Sequence, residues 1–233
     1  MVITIIVIIV GNSIIHSLPN FAEGLMTEII EIFDSSSEKK YKEIFKLDDN
    51  EIGGFITSSL AMKERDLQGL EQRYTLPLIE NHLTEMNNHP PIVLFQSPEY
   101  EIKKEVYWTN RTTGYPLMSH DWNRDLQDVF PILQGEKLHI EIKWRIPRDK
   151  INSNGYIEAR QGDNIFVFRP SFPATYDKEV DENGIEYDTE KHNASFPADP
   201  NLVDYTSPLE IVVQYSGEDD YAVYELDFKK FIQ

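Results

Sequence analysis

The chain contains no cysteine. That excludes disulfide staples, thiolate nucleophiles and cysteine-ligated zinc together, and it fits any redox compartment. Positive charge is missing from the beginning. Met1 to Ala22 carries no charged side chain, and the first basic residue is Lys39. A secretory signal peptide opens on a basic stretch and closes on a small-residue cleavage site, and neither pattern is found. The six histidines, His16, His82, His89, His120, His139 and His192, form no i, i+4 pair and no His-Glu-x-x-His. No glycine-rich phosphate loop exists either, because Gly53-Gly54 has no lysine after it. Basic residues are outnumbered by acidic ones, 22 to 40, for a net charge of −18. A chain so charged has no means of gripping a phosphate backbone, so nucleic-acid binding is excluded as an expectation.

What is present begins with the apolar N-terminus. Met1 to Val10 is almost purely isoleucine and valine. A membrane span needs about 20 apolar residues, and here the pure run is half that length, followed by Gly11, Asn12, Ser13, His16, Ser17, Pro19 and Asn20. Residues 1–22 are therefore expected to act as a membrane anchor or to pack in an assembly, with a buried strand as the competing reading. On the strand reading, Ile8-Ile9-Val10-Gly11-Asn12-Ser13 resembles the first block of the SGNH/GDSL hydrolases, in which the serine is the nucleophile. That resemblance implies a hydrolase acting through Ser13. The family also closes on an Asp-x-x-His block, whereas Asp188-Thr-Glu-Lys-His192 is one residue too long, leaving Ser13 without an acid–base partner.

With 40% apolar and 12% aromatic residues, the 233-residue chain can build a packed core. Its character changes near Pro90-Pro91. Before that point the apolar spacing is helical: Phe21 to Phe33, then Glu38 to Leu47, then a stretch from about Ser58 to Asn87 interrupted near Pro77. Asp48-Asp49-Asn50 and Gly53-Gly54 read as a loop. After Pro91 the period becomes two, most clearly in Lys137 to Ile146. There Leu138, Ile140, Ile142, Trp144 and Ile146 point one way, while His139, Glu141, Lys143 and Arg145 point to a wet face. Further strands are expected at Ile92–Phe95, Tyr100–Trp108, Tyr156–Ala159, Ile165–Phe168, Leu209–Tyr215 and Tyr221–Phe228. The expected fold is α+β by content, with an apolar segment (1–22), a helical region (23–90) and an antiparallel β-sandwich (91–233).

The acidic excess is concentrated late in the chain. From Tyr176 to Asp227 there are 15 Asp or Glu against Lys178 and Lys191 alone. Glu179-x-Asp181-x-Asn183-Gly184, with Glu190 after it, comes close to an EF-hand calcium loop. Flanking prolines and extended segments favour instead a hairpin turning on Asn183-Gly184, with arms at Tyr176–Val180 and Ile185–Thr189. No cofactor is expected, and Ca²⁺ is retained only through Glu179, Asp181, Asn183 and Glu190. The turn acids Glu218, Asp219 and Asp220 are the candidate binding residues. The resulting expectation is a non-enzymatic, membrane-tethered interaction module presenting an acidic surface to a protein partner. The alternatives are a structural subunit that self-assembles through its apolar N-terminus, and a Ser13 hydrolase.

Overall fold

A computed structural model describes residues 36–83, 90–113, 130–147, 156–169, 175–180, 186–214 and 219–232. Residues 1–22, including Ser13, lie outside them. Residues 37–233 form one compact unit. It holds four α-helices among the described residues: α1 (36–45), α2 (Asp49–Leu60), α3 (Glu64–Tyr74) and α4 (Pro98–Thr113). Strands β1 (Leu78–Asn81), β2 (Ile92–Gln96), β3 (Lys137–Pro147), β4 (Tyr156–Gln161), β5 (Asn164–Phe168), β6 (Thr175–Val180), β7 (Glu186–Pro197), β8 (Leu209–Gln214) and β9 (Tyr221–Leu226) form two sheets. One sheet has the order β1-β9-β8-β4-β5 and the other β2-β3-β7-β6. Every pairing is antiparallel. The content is α+β, as expected.

The period-two reading of β3 explains how the sheets meet. Leu138, Ile140, Ile142 and Trp144 are buried in the same cluster as Ile157 and Ala159 of β4, Leu209, Ile211 and Val213 of β8, and Ala222, Tyr224 and Leu226 of β9. Both sheets thus contribute one apolar face to a shared core, where each large aliphatic side chain contributes about 1.5–3 kcal/mol. Phe45, Phe95, Tyr205 and Phe228 add a chain of ring contacts at one end of it. Beyond this core, Ile52 and Ile56 of α2, Ile102 and Val106 of α4, Phe130 and Leu133 make a second cluster.

Three expectations are corrected. Tyr100–Trp108 is not a strand but most of α4. Ser97 starts it, its Oγ accepting from the backbone N–H of Tyr100 at 3.1 Å, with Pro98 in the first turn, where its missing N–H costs nothing. The loop expected around Asp48 and Gly53-Gly54 is instead the start of α2. Asp48 and Glu51 form a reciprocal capping box that carries the helix through both glycines. The long helix through Asn87 ends at Tyr74, and Leu78–Asn81 becomes β1, paired with β9. Pro77 lacks an N–H for a helix but offers its carbonyl to the N–H of Glu225 at 3.1 Å. Residues on both sides of Pro90-Pro91 therefore share one sheet.

Candidate functional site

The side of β3 opposite the core is exposed at Lys137, as expected, but covered at Glu141, and this is where the polar chemistry gathers. Cross-strand rows on that face read Gln96–His139–Ser195 and Ile92–Lys143–Lys191, with Glu141 between them. Helix α4 lies against this face, and Glu141 is only 2% exposed. Its Oε2 accepts from Lys104 Nζ of α4 at 3.2 Å and from Gln96 Nε2 at 3.3 Å. Its Oε1 has Lys191 at 3.5 Å and Lys143 at 3.6 Å. Burial opposes ionisation of Glu141, but Lys104, Lys191 and Lys143 outweigh it and hold the carboxyl below its ordinary range. Lys143 also reaches Glu71 of α3 at 3.6 Å. The arrangement offsets the repulsion of two lysines placed directly opposite each other.

A second knot joins α3 to α4. Glu99 is buried, accepting from Tyr74 Oη at 2.6 Å and from Lys103 Nζ at 2.5 Å, with Arg73 at 3.4 Å. Burial again works against its charge, and the bonds from Lys103 and Tyr74 with the charges of Lys103 and Arg73 prevail, so its carboxyl is held low. Tyr74 is pushed up, first by burial and then by Glu99. Tyr100 Oη is buried without a hydrogen-bond partner among the described residues.

Beside these knots opens a cleft of about 430 Å³. Glu101 and Glu105, four apart on α4, form one wall, and Glu136, Lys137, His139 and Gln96 form the other. The rim is set by Gly135, whose φ of +69° follows the short 3-10 helix Pro131–Gln134. Helix α1 and the residue after it clamp that turn: Tyr41 Oη donates to the carbonyl of Gly135 at 2.7 Å and Lys46 Nζ to that of Gln134 at 2.9 Å. A Cβ on Gly135 would stand 3.0 Å from Tyr41 Oη. Glu101 has its carboxyl raised, first by burial and then, against the pull of Lys104, by Glu141 and Glu105. Lys104, 3.5 Å from Glu101, is itself raised, because Glu101 and Glu141 outweigh its burial.

His139 lies 3.1 Å from Ser195 Oγ through Nδ1, and burial followed by the charge of Lys137 keeps its imidazole low. Serine beside a neutral imidazole is part of a nucleophile–base pair. Among the described residues no carboxylate bonds the other ring nitrogen, and the two residues are simply neighbours across two strands. The pair has the geometry of a cross-strand contact.

The residues singled out in the sequence are dispersed. Glu179 falls in β6 and Glu190 in β7, while Asp181 and Asn183 lie outside the described residues. The arms expected around Asn183-Gly184 do pair antiparallel, Tyr176 with Glu190 and Val180 with Glu186. Glu190 is buried and bonded to His192 at 3.1 Å. Among the described residues no group of three metal-ligating side chains comes together. Asp219 is exposed, Asp220 is buried, and Glu218 lies outside the described residues. No described helix is long and apolar enough to cross a membrane. Glu101, Glu105 and Glu136 were missed, because only the placement of α4 brings them together. Compared with known proteins, the chain matches no family model, no curated protein and no solved structure.

Proposed function

We propose that this protein is a non-enzymatic interaction module, a β-sandwich whose cleft beside α4 offers carboxylates to a basic segment of a protein partner. The sandwich reading is supported by the shared core between the two sheets. The functional reading is carried by one observation, the raised carboxyl of Glu101 in a cleft that also holds Glu105 and Glu136. Lys104 is the nearby cation, and it is divided between Glu101 and Glu141. An arginine or lysine entering the cleft would supply the missing countercharge and stabilise Glu101 as a carboxylate. Lys137, also in the wall, would select against a partner with cations on both sides of the anchor.

Titration of the full chain with an arginine- and lysine-rich peptide, and with an acidic peptide of equal length, tests the reading. The basic peptide is expected to bind by calorimetry, more weakly as salt rises, and the Glu105→Gln/Glu136→Gln variant is expected to lose most of that affinity. Equal affinity of variant and parent, or equal binding of both peptides, would overturn it.

A further inference from the structure

The two sheets present four edges among the described residues, β1, β2, β5 and β6. Strand β1 carries Glu80 in a short run. Strand β2 is covered by the preceding segment, through a Thr75–Leu94 bridge and a bond from Leu76 N–H to the Val93 carbonyl at 2.8 Å. Strand β6 carries Asp177, Lys178 and Glu179 in succession. Strand β5, Asn164-Ile165-Phe166-Val167-Phe168, has no charge, no proline and, among the described residues, no backbone partner on its outer side. Edges of this kind are what charge, proline or a covering segment ordinarily blunt. Its solvent face is also apolar: Ile165 is 57% and Val167 54% exposed.

We propose that β5 pairs antiparallel with β5 of a second copy of this chain, about a twofold axis through Phe166, joining two five-stranded sheets into one. The backbone phase fits. A two-residue turn, Gly162-Asp163, joins β4 to β5, with Gln161 opposite Asn164 as the closing pair. Closing pairs of such hairpins exchange both hydrogen bonds, so Asn164, Phe166 and Phe168 bond toward β4. Ile165 and Val167 then direct their N–H and C=O groups outward. With Phe166 opposite Phe166, Ile165 of each copy lies opposite Val167 of the other and the two exchange both bonds.

Charge selects this register. It places Asp163 of one copy opposite Arg169 of the other, twice by symmetry, and both residues are exposed. Centring the axis on Ile165 or on Val167 instead leaves neither charge opposite its complement. The exposed Ile165 and Val167 form a continuous apolar strip across the joint, while Phe166 and Phe168 remain packed on the core side. A self-complementary surface of this kind closes at two subunits, as a twofold interface must.

Sedimentation velocity of the full chain across a range of concentrations tests the proposal. The expected result is a monomer–dimer equilibrium that Val167→Lys abolishes while circular dichroism stays unchanged. Asp163→Arg and Arg169→Asp are each expected to weaken the dimer several-fold, and the two together to restore it. A monomer at every concentration, or an association that survives Val167→Lys, would overturn the proposal. So would a charge-swapped double variant no better than its singles. The cleft beside α4 is untouched by these substitutions, so peptide binding there reports separately.

Discussion

Glu141 and Glu101 share one lysine and behave oppositely. Glu141 is the more deeply enclosed of the two, yet three ammonium groups surround it and its carboxyl is held low. Glu101 keeps nearly a third of its side chain exposed, yet its carboxyl is raised, first by burial and then by Glu141 and Glu105, against which it has only a share of Lys104. Burial alone therefore does not decide ionisation on this face; the supply of countercharge does. The knot under α4 has its charge satisfied internally and holds the helix to the sheet. The cleft beside it is left short of positive charge, which is the condition for accepting some from outside.

Glu141→Gln should have the largest effect, about 3 kcal/mol of unfolding free energy, because it strands Lys104, Lys143 and Lys191 around a neutral side chain. Denaturant unfolding would measure it. Gly135→Ala should follow at about 1–2 kcal/mol, because the left-handed turn and the clamp from Tyr41 both resist a Cβ, and peptide binding should weaken with it. Glu99→Gln should cost about 1–2 kcal/mol through the weakened bonds to Tyr74 and Lys103. Glu101→Gln should have the smallest effect and the opposite sign, a gain of a few tenths of a kcal/mol from removing a poorly compensated charge.

The pH dependence separates the same groups. Glu141 and Glu99 have lowered native pKa values, so their stabilisation is complete above the ordinary 4.5 and is lost as pH falls through the native values. Glu101 has a raised native value, so on acidification the native state takes up that proton before the unfolded chain does. On its own Glu101 adds stability as pH drops toward 4.5, whereas His139, with its lowered native value, removes some below 6.5, and Glu141 and Glu99 remove more below 4.5. Melting curves should decline more steeply between 6.5 and 4.5 in Glu101→Gln than in the parent, and should lose part of the fall below 4.5 in Glu141→Gln.

The strand pattern of β3 was legible because one face packs against an apolar sheet and writes a period of two into Leu138, Ile140, Ile142 and Trp144. Its other face was misread. Charged residues there indicated solvent, which holds at Lys137, whereas Glu141 meets Lys104 of α4 and Lys143 meets Glu71 of α3. Tyr100-x-Ile102 alternates like a strand, but the helix was announced by Ser97-Pro98-Glu99, a cap, a first-turn proline and an acid in sequence. Asp48 with Glu51 announced α2 in the same way. The two-residue turn and arms of β4–β5 were readable from local chemistry alone. The cleft was not, because Glu101 and Glu136 meet only through tertiary packing of α4 against the turn before β3.

The most direct test is the ionisation of Glu101 followed by carbon-13 NMR of its side-chain carboxyl, free and with the basic peptide bound. Glu101 is expected to show a pKa above the ordinary glutamate value in the free protein and a fall below it when the peptide supplies a cation. A free-state value already at or below the ordinary one, or a raised value that the bound peptide leaves unmoved, would contradict it.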